Sequence, residues 1–311
     1  MATDTTELDL LAWNTLTGGI DRDDRGFHDY RFEQQIDYLA SLPGLDFLWI
    51  MEGTDWHLGD GRRFKDLADA TGLAALPYMT SRVGDGRNHS VLYYRAEKAR
   101  LVTSGELARG AFHHGAMRAV FEVDGVRLLL LGAHLAYSNG AARLGEAQFL
   151  ADYGQQFDSW PEDGVLLMDA NGPDRYDPEP EDWSAVPRNL WHRYRKMLPD
   201  GSFGGWDLDA PNLLIRSGWR DPQDEIPLRR KPTVGYWYAN EPVPLHLDQA
   251  LVTGRRIEVL DYRTLGAPQS FAPDIPAPDS PDSDLDLTGL SDHLPYLLRV
   301  RLHREPVGAT G

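Results

Sequence analysis

Two apolar runs, Ala116 to Val123 and Val126 to Ala133, are separated only by Asp124-Gly125. Asp-Gly between strand-like runs specifies a tight hairpin, so these strands must pair antiparallel. The chain opens differently. Leu8 to Trp13 is a short apolar run ended by Asn14, and Phe47 to Met51 is another ended by Glu52. Between them Phe32, Ile36, Leu39 and Ala40 recur at helical spacing, and after Glu52 the residues Phe64, Leu67, Ala68 and Thr71 repeat the pattern up to a stop at Gly72. The opening reads β-α-β-α. The sequence thus predicts an α/β fold, with two sheets packed together and helices outside.

Further strands are predicted at Ser90 to Arg95, Val165 to Met168, Leu247 to Thr253, Ile257 to Leu265 and Pro295 to Leu302. A helix is predicted over Ala141 to Phe157, with Ala147, Leu150, Ala151 and Phe157 inward. Two stretches read as acidic loops: Gly172 to Pro187 has five acids and one Arg, and Gly266 to Gly289 has five Pro, five Asp and no Lys or Arg. No repeat or polar linker divides the chain, so residues 1–303 read as one domain and 304–311 as a flexible tail.

The absence of Cys among 311 residues excludes disulfides, thiolate metal sites and cysteine nucleophiles. Any metal must sit on oxygen or imidazole. No secretory signal is visible at the start, and the apolar run at Val126 to Leu135 is far short of the ~20 residues of a membrane helix, so the expected location is cytoplasmic. With 31 Lys+Arg against 48 Asp+Glu the formal charge is −17, which argues against gripping nucleic acid by bulk charge. It leaves room for a nuclease in which a bound cation supplies positive charge locally.

The residues that end the apolar runs carry the functional argument. Asn14, Glu52, His134, and Asp169 with Asn171 each follow a strand, Asp248 begins one, and Ser291-Asp292-His293 precedes the last. Such ends can converge in a sheet. A carboxylate in an apolar strand, as at Asp248, is costly unless something pairs with it. Oxygen donors with imidazoles suit Mg²⁺ or Mn²⁺ and phosphoryl chemistry, in which a carboxylate deprotonates water and an Asp-oriented His holds or protonates a phosphate oxygen. His113-His114 reads as a polar turn before a strand.

In order, Ala12-Trp13-Asn14, Met51-Glu52, Ala133-His134-Leu135, Met168-Asp169-Ala170-Asn171, His246-Leu247-Asp248-Gln249-Ala250-Leu251 and Ser291-Asp292-His293 resemble the motifs of the endonuclease/exonuclease/phosphatase superfamily, which includes deoxyribonuclease I-like nucleases. The resemblance runs from residue 12 to 293. It implies a four-layer α/β/β/α sandwich of two mixed sheets packed face to face, with the site at one edge. It also implies Glu52 as metal ligand, with Asn14 and Asp292 completing or supporting the shell. Asp169 would orient or deprotonate the attacking water, Asn171 would donate to the phosphate, and His293 and His134 would face it. Asp248 or Asp169 would set one histidine's tautomer, and Arg118 would bind phosphate. The sequence departs from the family pattern at Met168, where Gly is usual, and at Gln249, where an aromatic is common. The loop tyrosine that often supplies a hydroxyl has Tyr137 or Tyr93 as candidates.

The implied activity is divalent-metal-dependent hydrolysis of a phosphoester of nucleic acid or nucleotide. Two alternatives are a phosphatase or phosphodiesterase on a small soluble or lipid-derived phosphoester, and a catalytically silent protein that binds a phosphate ligand. The local charge pattern speaks both ways. Acidic loops 172–187 and 266–289 adjoin site residues and would repel a polyanion. Arg188, Arg193, Arg195 and Lys196 interleaved with Trp191 and Tyr194, and Arg229-Arg230-Lys231 ahead of Tyr236-Trp237-Tyr238, could hold phosphates and stack bases, or form a solvated helix with aromatics turned to the core.

Overall fold

The computed structural model describes residues 5–24, 26–271 and 285–306. Its principal strands are β1 (Thr5–Asn14), β2 (Leu45–Met51), β3 (His89–Tyr94), β4 (Arg100–Glu106), β5 (Ala116–Val123), β6 (Val126–His134), β7 (Gly164–Asp169), β8 (Asp248–Thr253), β9 (Ile257–Thr264) and β10 (Tyr296–His303). The α-helices are α1 (Tyr30–Ser41), α2 (Leu58–Thr71), α3 (Gly140–Ala151) and α4 (Asp209–Arg216).

One sheet runs β9-β10-β1-β2-β3, extended by the short strands Ala74–Ala75 and Met79–Thr80 on β3; the other runs β8-β7-β6-β5-β4. Both are mixed. β1 and β2 are parallel, as are β6 and β7, whereas β5 and β6 form the antiparallel hairpin turned by Asp124-Gly125. Asp124 and Gly125 both have positive φ, as the turn requires.

Alternation along each strand sorts side chains into three cores. Leu8, Leu10 and Ala12 of β1, Phe47 and Trp49 of β2, Leu128 and Leu130 of β6, and Val165 and Leu167 of β7 meet between the sheets. Leu11, Trp13, Leu48 and Ile50 face the other way, onto Phe32 and Leu39 of α1 and Phe64 and Leu67 of α2. Leu129, Leu131, Leu166 and Met168 pack against Ala147 and Leu150 of α3 and Leu214 of α4. The result is an α/β/β/α sandwich.

Several expectations need adjustment. The helix predicted to reach Phe157 ends at Ala151 and passes into a single 3₁₀ turn, and Phe157 is exposed. The chain turns at Gly154, where an added Cβ would lie 2.4 Å from the Ser217 carbonyl oxygen. β4 was not foreseen from the sequence because it is an edge strand with almost all its side chains exposed, and so carries no apolar alternation. The loop expected over 266–289 and the tail over 304–311 lie in part outside the described residues. No helix among the described residues is long and apolar enough to cross a membrane.

Candidate active site

Strand parity explains why distant residues meet. Asn14 continues the series Leu8, Leu10, Ala12, and Asp169 continues Val165, Leu167; His134 and Asp248 keep step with Leu130 and Ala250. All four therefore emerge at one open end of the space between the sheets. Register fixes the rest. In the second sheet His134 lies opposite Asp169 across a parallel pair, and Asp169 lies opposite Asp248 across an antiparallel pair. In the first sheet β10 runs antiparallel to β1, with Ala12 opposite Tyr296, so the Ser291-Asp292-His293 segment before β10 arrives beside Asn14. The Ser291 hydroxyl donates to the Asn14 carbonyl, 2.7 Å, and the Trp13 indole N–H donates to the His293 carbonyl, 2.9 Å.

Asp169 is the hub. Its side chain has no solvent exposure, and it accepts from the Asn171 backbone N–H at 2.9 Å and from the Asn14 amide at 3.0 Å. His134 Nε2 stands 3.4 Å away and His293 Nδ1 3.9 Å. Burial, reinforced by the charge of Asp248, pushes the Asp169 carboxyl up to about 7, although His293 pulls the other way. Asp248, equally buried, binds His293 Nδ1 at 2.7 Å through Oδ2, while its Oδ1 has no partner.

The two histidines are driven apart. Burial would strip His293 of its proton, but Asp248, Asp169 and Asp292 together outweigh burial and hold its pKa well above the ordinary value. His134 has no such company: burial, and then the neighbouring His114 and His293, hold it well below. Their surroundings thus favour the proton on His293 and disfavour it on His134.

Glu52 sits just past β2 in a left-handed conformation, φ 59°, which turns its side chain back to the site. Its carboxylate accepts from the Thr17 N–H at 3.2 Å and from the Asn14 amide at 3.3 Å. Burial, and then the charge of Asp292, raise its pKa. Asn14 thus spans Glu52 and Asp169 with its NH₂ group while its oxygen accepts from the Leu16 N–H, 3.1 Å. Burial, and then the neighbouring Asp292 carboxylate, push the Tyr238 hydroxyl pKa up to about 12.

These groups open into a cleft of about 510 Å³. Asn14, Glu52, His134, Asn171, Asp292 and His293 line it; Asp169 and Asp248 stand behind them. Asn171 commits one amide hydrogen to the Leu135 carbonyl, 3.0 Å, leaving the other for a ligand.

Arg118 is not part of this cleft, contrary to the reading from sequence. It has the parity of Ala116 and Val120, which face the helices, and its guanidinium lies 3.5 Å from the Trp160 ring centroid and against Tyr153. Tyr93 is also elsewhere, buried with its hydroxyl on the Phe64 carbonyl, whereas Tyr137 lines the cleft. His114 is more than a polar turn residue: it is buried, lines the cleft and stacks on His134. Tyr238, named in the sequence only as part of the aromatic run Tyr236-Trp237-Tyr238, also lines the cleft.

No family model and no curated protein matches the chain. Solved structures do match over nearly its full length. An endonuclease/exonuclease/phosphatase from Bacteroides vulgatus aligns with TM-score 0.61 and 15% identity, over 96% of this chain and 100% of that one. The chain has the endonuclease/exonuclease/phosphatase fold. ANGEL2, a 2',3'-cyclic phosphatase, aligns with TM-score 0.60 and 14% identity, over 96% of this chain and 97% of that one. A mannosyl-6-phosphatase from Bacteroides thetaiotaomicron gives 0.56 and 14%, over 94% and 99%.

The donor set around the cleft suits a hard cation. Glu52 and Asp292 are close enough for the charge of one to raise the pKa of the other, and the basic side chain lining the cleft, Arg193, is spent on Glu241 at 2.9 Å. Asp169, Asp248 and His293 form a second group, with one potential ligand atom each within 4.8 Å of the others. There His293 Nδ1 is already bonded to Asp248, and both carboxylates are buried.

Proposed function

We propose that this protein is a divalent-metal-dependent phosphodiester hydrolase that directs water at a phosphoester of a nucleic acid or nucleotide. The observation that carries the reading is the hydrogen-bonded chain from Glu52 through Asn14 to Asp169, with the His293–Asp248 pair beside it. Structural neighbours whose names describe a cyclic phosphatase and a sugar phosphatase support phosphoester chemistry.

Glu52 and Asp292 would hold Mg²⁺ or Mn²⁺, with Asn14 supporting Glu52. The ion would offset charge on the phosphate and on the departing oxygen. His293, kept protonated by Asp248, binds a phosphate oxygen and can give its proton to the leaving oxygen. Asp169 orients the attacking water and takes its proton as the new P–O bond forms and the bond to the leaving oxygen breaks. Asn171 donates its free amide hydrogen to a non-bridging oxygen, and neutral His134 faces the same group.

The test is hydrolysis of bis(p-nitrophenyl) phosphate with Mg²⁺ or Mn²⁺, with and without chelator. Chelator-sensitive turnover that falls at least ~100-fold in Glu52→Gln and in His293→Ala supports the reading. Turnover equal in wild type and both variants refutes it.

A further inference from the structure

Resting on the proposed phosphoester chemistry while narrowing its substrate, we infer that the cleft is a single-ring site: the substrate is a monomeric phosphoester whose nucleobase or sugar ring stacks in the cleft, rather than a polynucleotide strand.

The cleft has the volume of a small-molecule site, about 510 Å³. Beyond the polar residues of the active end, Tyr137, Tyr194, Trp237 and Tyr238 line it. Tyr137 is 45% exposed, Trp237 37% and Tyr238 42%. Four aromatic side chains surround one cleft, and Trp237 and Tyr238, both partly exposed, offer ring surface for a ligand to stack on. Polar groups among them can read ring substituents: Glu241 accepts from Tyr194 Oη and from Arg193, both at 2.9 Å.

The charge excludes a long polyanion. Three acids, Glu52, Glu241 and Asp292, line the cleft against Arg193, which is neutralised by Glu241 and lies over the Tyr137 ring. The other basic residues that the sequence offers as a phosphate track are committed elsewhere. Arg195 lies over Trp183 and Trp191, Arg188 over Trp191, and Lys196 pairs with Asp209. Arg229 lies over Tyr176, and Arg230 and Lys231 are buried. One divalent ion and His293 can balance one phosphate. Successive phosphates of a strand need further cations, and none of these residues lines the cleft.

Titration calorimetry in Mg²⁺ tests this without requiring turnover. The probes are adenosine 5'-monophosphate, glucose 6-phosphate, glycerol 3-phosphate and a single-stranded oligodeoxynucleotide. At least one ring-bearing probe should bind ~10-fold or more tighter than glycerol 3-phosphate, the gain from one stacked ring. The preference between the two ring probes tells base from sugar. Trp237→Ala, checked for folding by its thermal melt, should bring the ratio of ring-bearing to ringless affinity towards one. The inference is overturned if glycerol 3-phosphate binds as well as both ring probes, if none of the monomers binds, or if the oligonucleotide binds tightest with a steep salt dependence. Absence of metal-dependent hydrolysis alongside ring-selective binding would sink the proposed chemistry and leave the ring site standing.

Discussion

The imidazole of His114 lies flat on that of His134, ring centroids 3.8 Å apart and planes within 10° of parallel. Ser81 bonds to His114 Nδ1 at 3.1 Å and also contacts the His113 carbonyl, so the outer ring is anchored to backbone. Burial and His113 lower the His114 pKa to about 4, and the stack is therefore neutral at physiological pH. In the proposed mechanism His114 is a positioning residue, holding the plane of His134, whose Nε2 stands 3.4 Å from Asp169. His114→Ala should lower kcat ~10-fold, with KM changed much less. His114→Phe, which keeps a flat ring without the nitrogen atoms, should recover most of the loss. Failure of Phe to rescue would show that a ring nitrogen, rather than the stack, is what matters.

Much of this site was legible because it follows from strand parity. Asn14, His134 and Asp169 each end an apolar run in step with inward residues, so their convergence is a consequence of two sheets facing each other. Parity also contained the correction for Arg118, since Met117, Ala119 and Phe121 face the sheet interface and Arg118 must face the helices. What stayed hidden depends on contacts that no local pattern records. His114 gains its place by stacking on a residue twenty positions away, and no local pattern shows that Tyr137, Tyr194, Trp237 and Tyr238, from separate segments, line one cleft. The acids of loop 172–187 illustrate the same limit. They were expected to form a charged rim, yet Asp174 and Asp177 are buried, the first paired with Arg230 and the second bonded to His246.

His293 owes its charge chiefly to Asp248, the largest of the influences that oppose its burial. Asp248→Asn removes that carboxylate and should move the His293 titration downward. The folded-state pKa of this histidine is raised, so activity that depends on its proton is present at low pH and lost as pH rises through that value. The alkaline limb of kcat against pH should shift to lower pH in the variant. Histidine NMR titration of the metal-free protein checks the same displacement directly, and an unmoved resonance would assign the charge to Asp169 and Asp292 instead.

Asp169 reports on stability as well as catalysis. Its carboxyl is raised to about 7 by burial, so the protonated form favours folding. That contribution is fully present below the unfolded value of about 4 and is lost as pH rises through about 7. In chelator, the Tm of the wild type should therefore fall between pH 5 and pH 8 by more than that of Asp169→Asn. Parallel Tm profiles for the two proteins would contradict the assignment. The proposed mechanism requires the ionised form, so if Mg²⁺ occupies the proposed site the metal-free titration near 7 should move to lower pH.

Gly132 controls the spacing of the two sheets at the active end. It lies two residues before His134 on β6, and an added Cβ would stand 2.6 Å from the Trp49 ring, which is wholly buried. The Trp49 indole N–H in turn reaches the Ala133 carbonyl at 3.3 Å, so the ring cannot withdraw without giving up that bond. Gly132→Ala should cost about 1–3 kcal/mol in chemical denaturation, the usual penalty for overpacking a filled core. Because β2 leads into Glu52 and β6 ends at His134, the strain falls between the proposed metal ligand and the histidine proposed to face the phosphate. The variant should therefore lose kcat as well as stability, and a destabilised protein with unaltered kcat would show that the sheets can part here without moving the site.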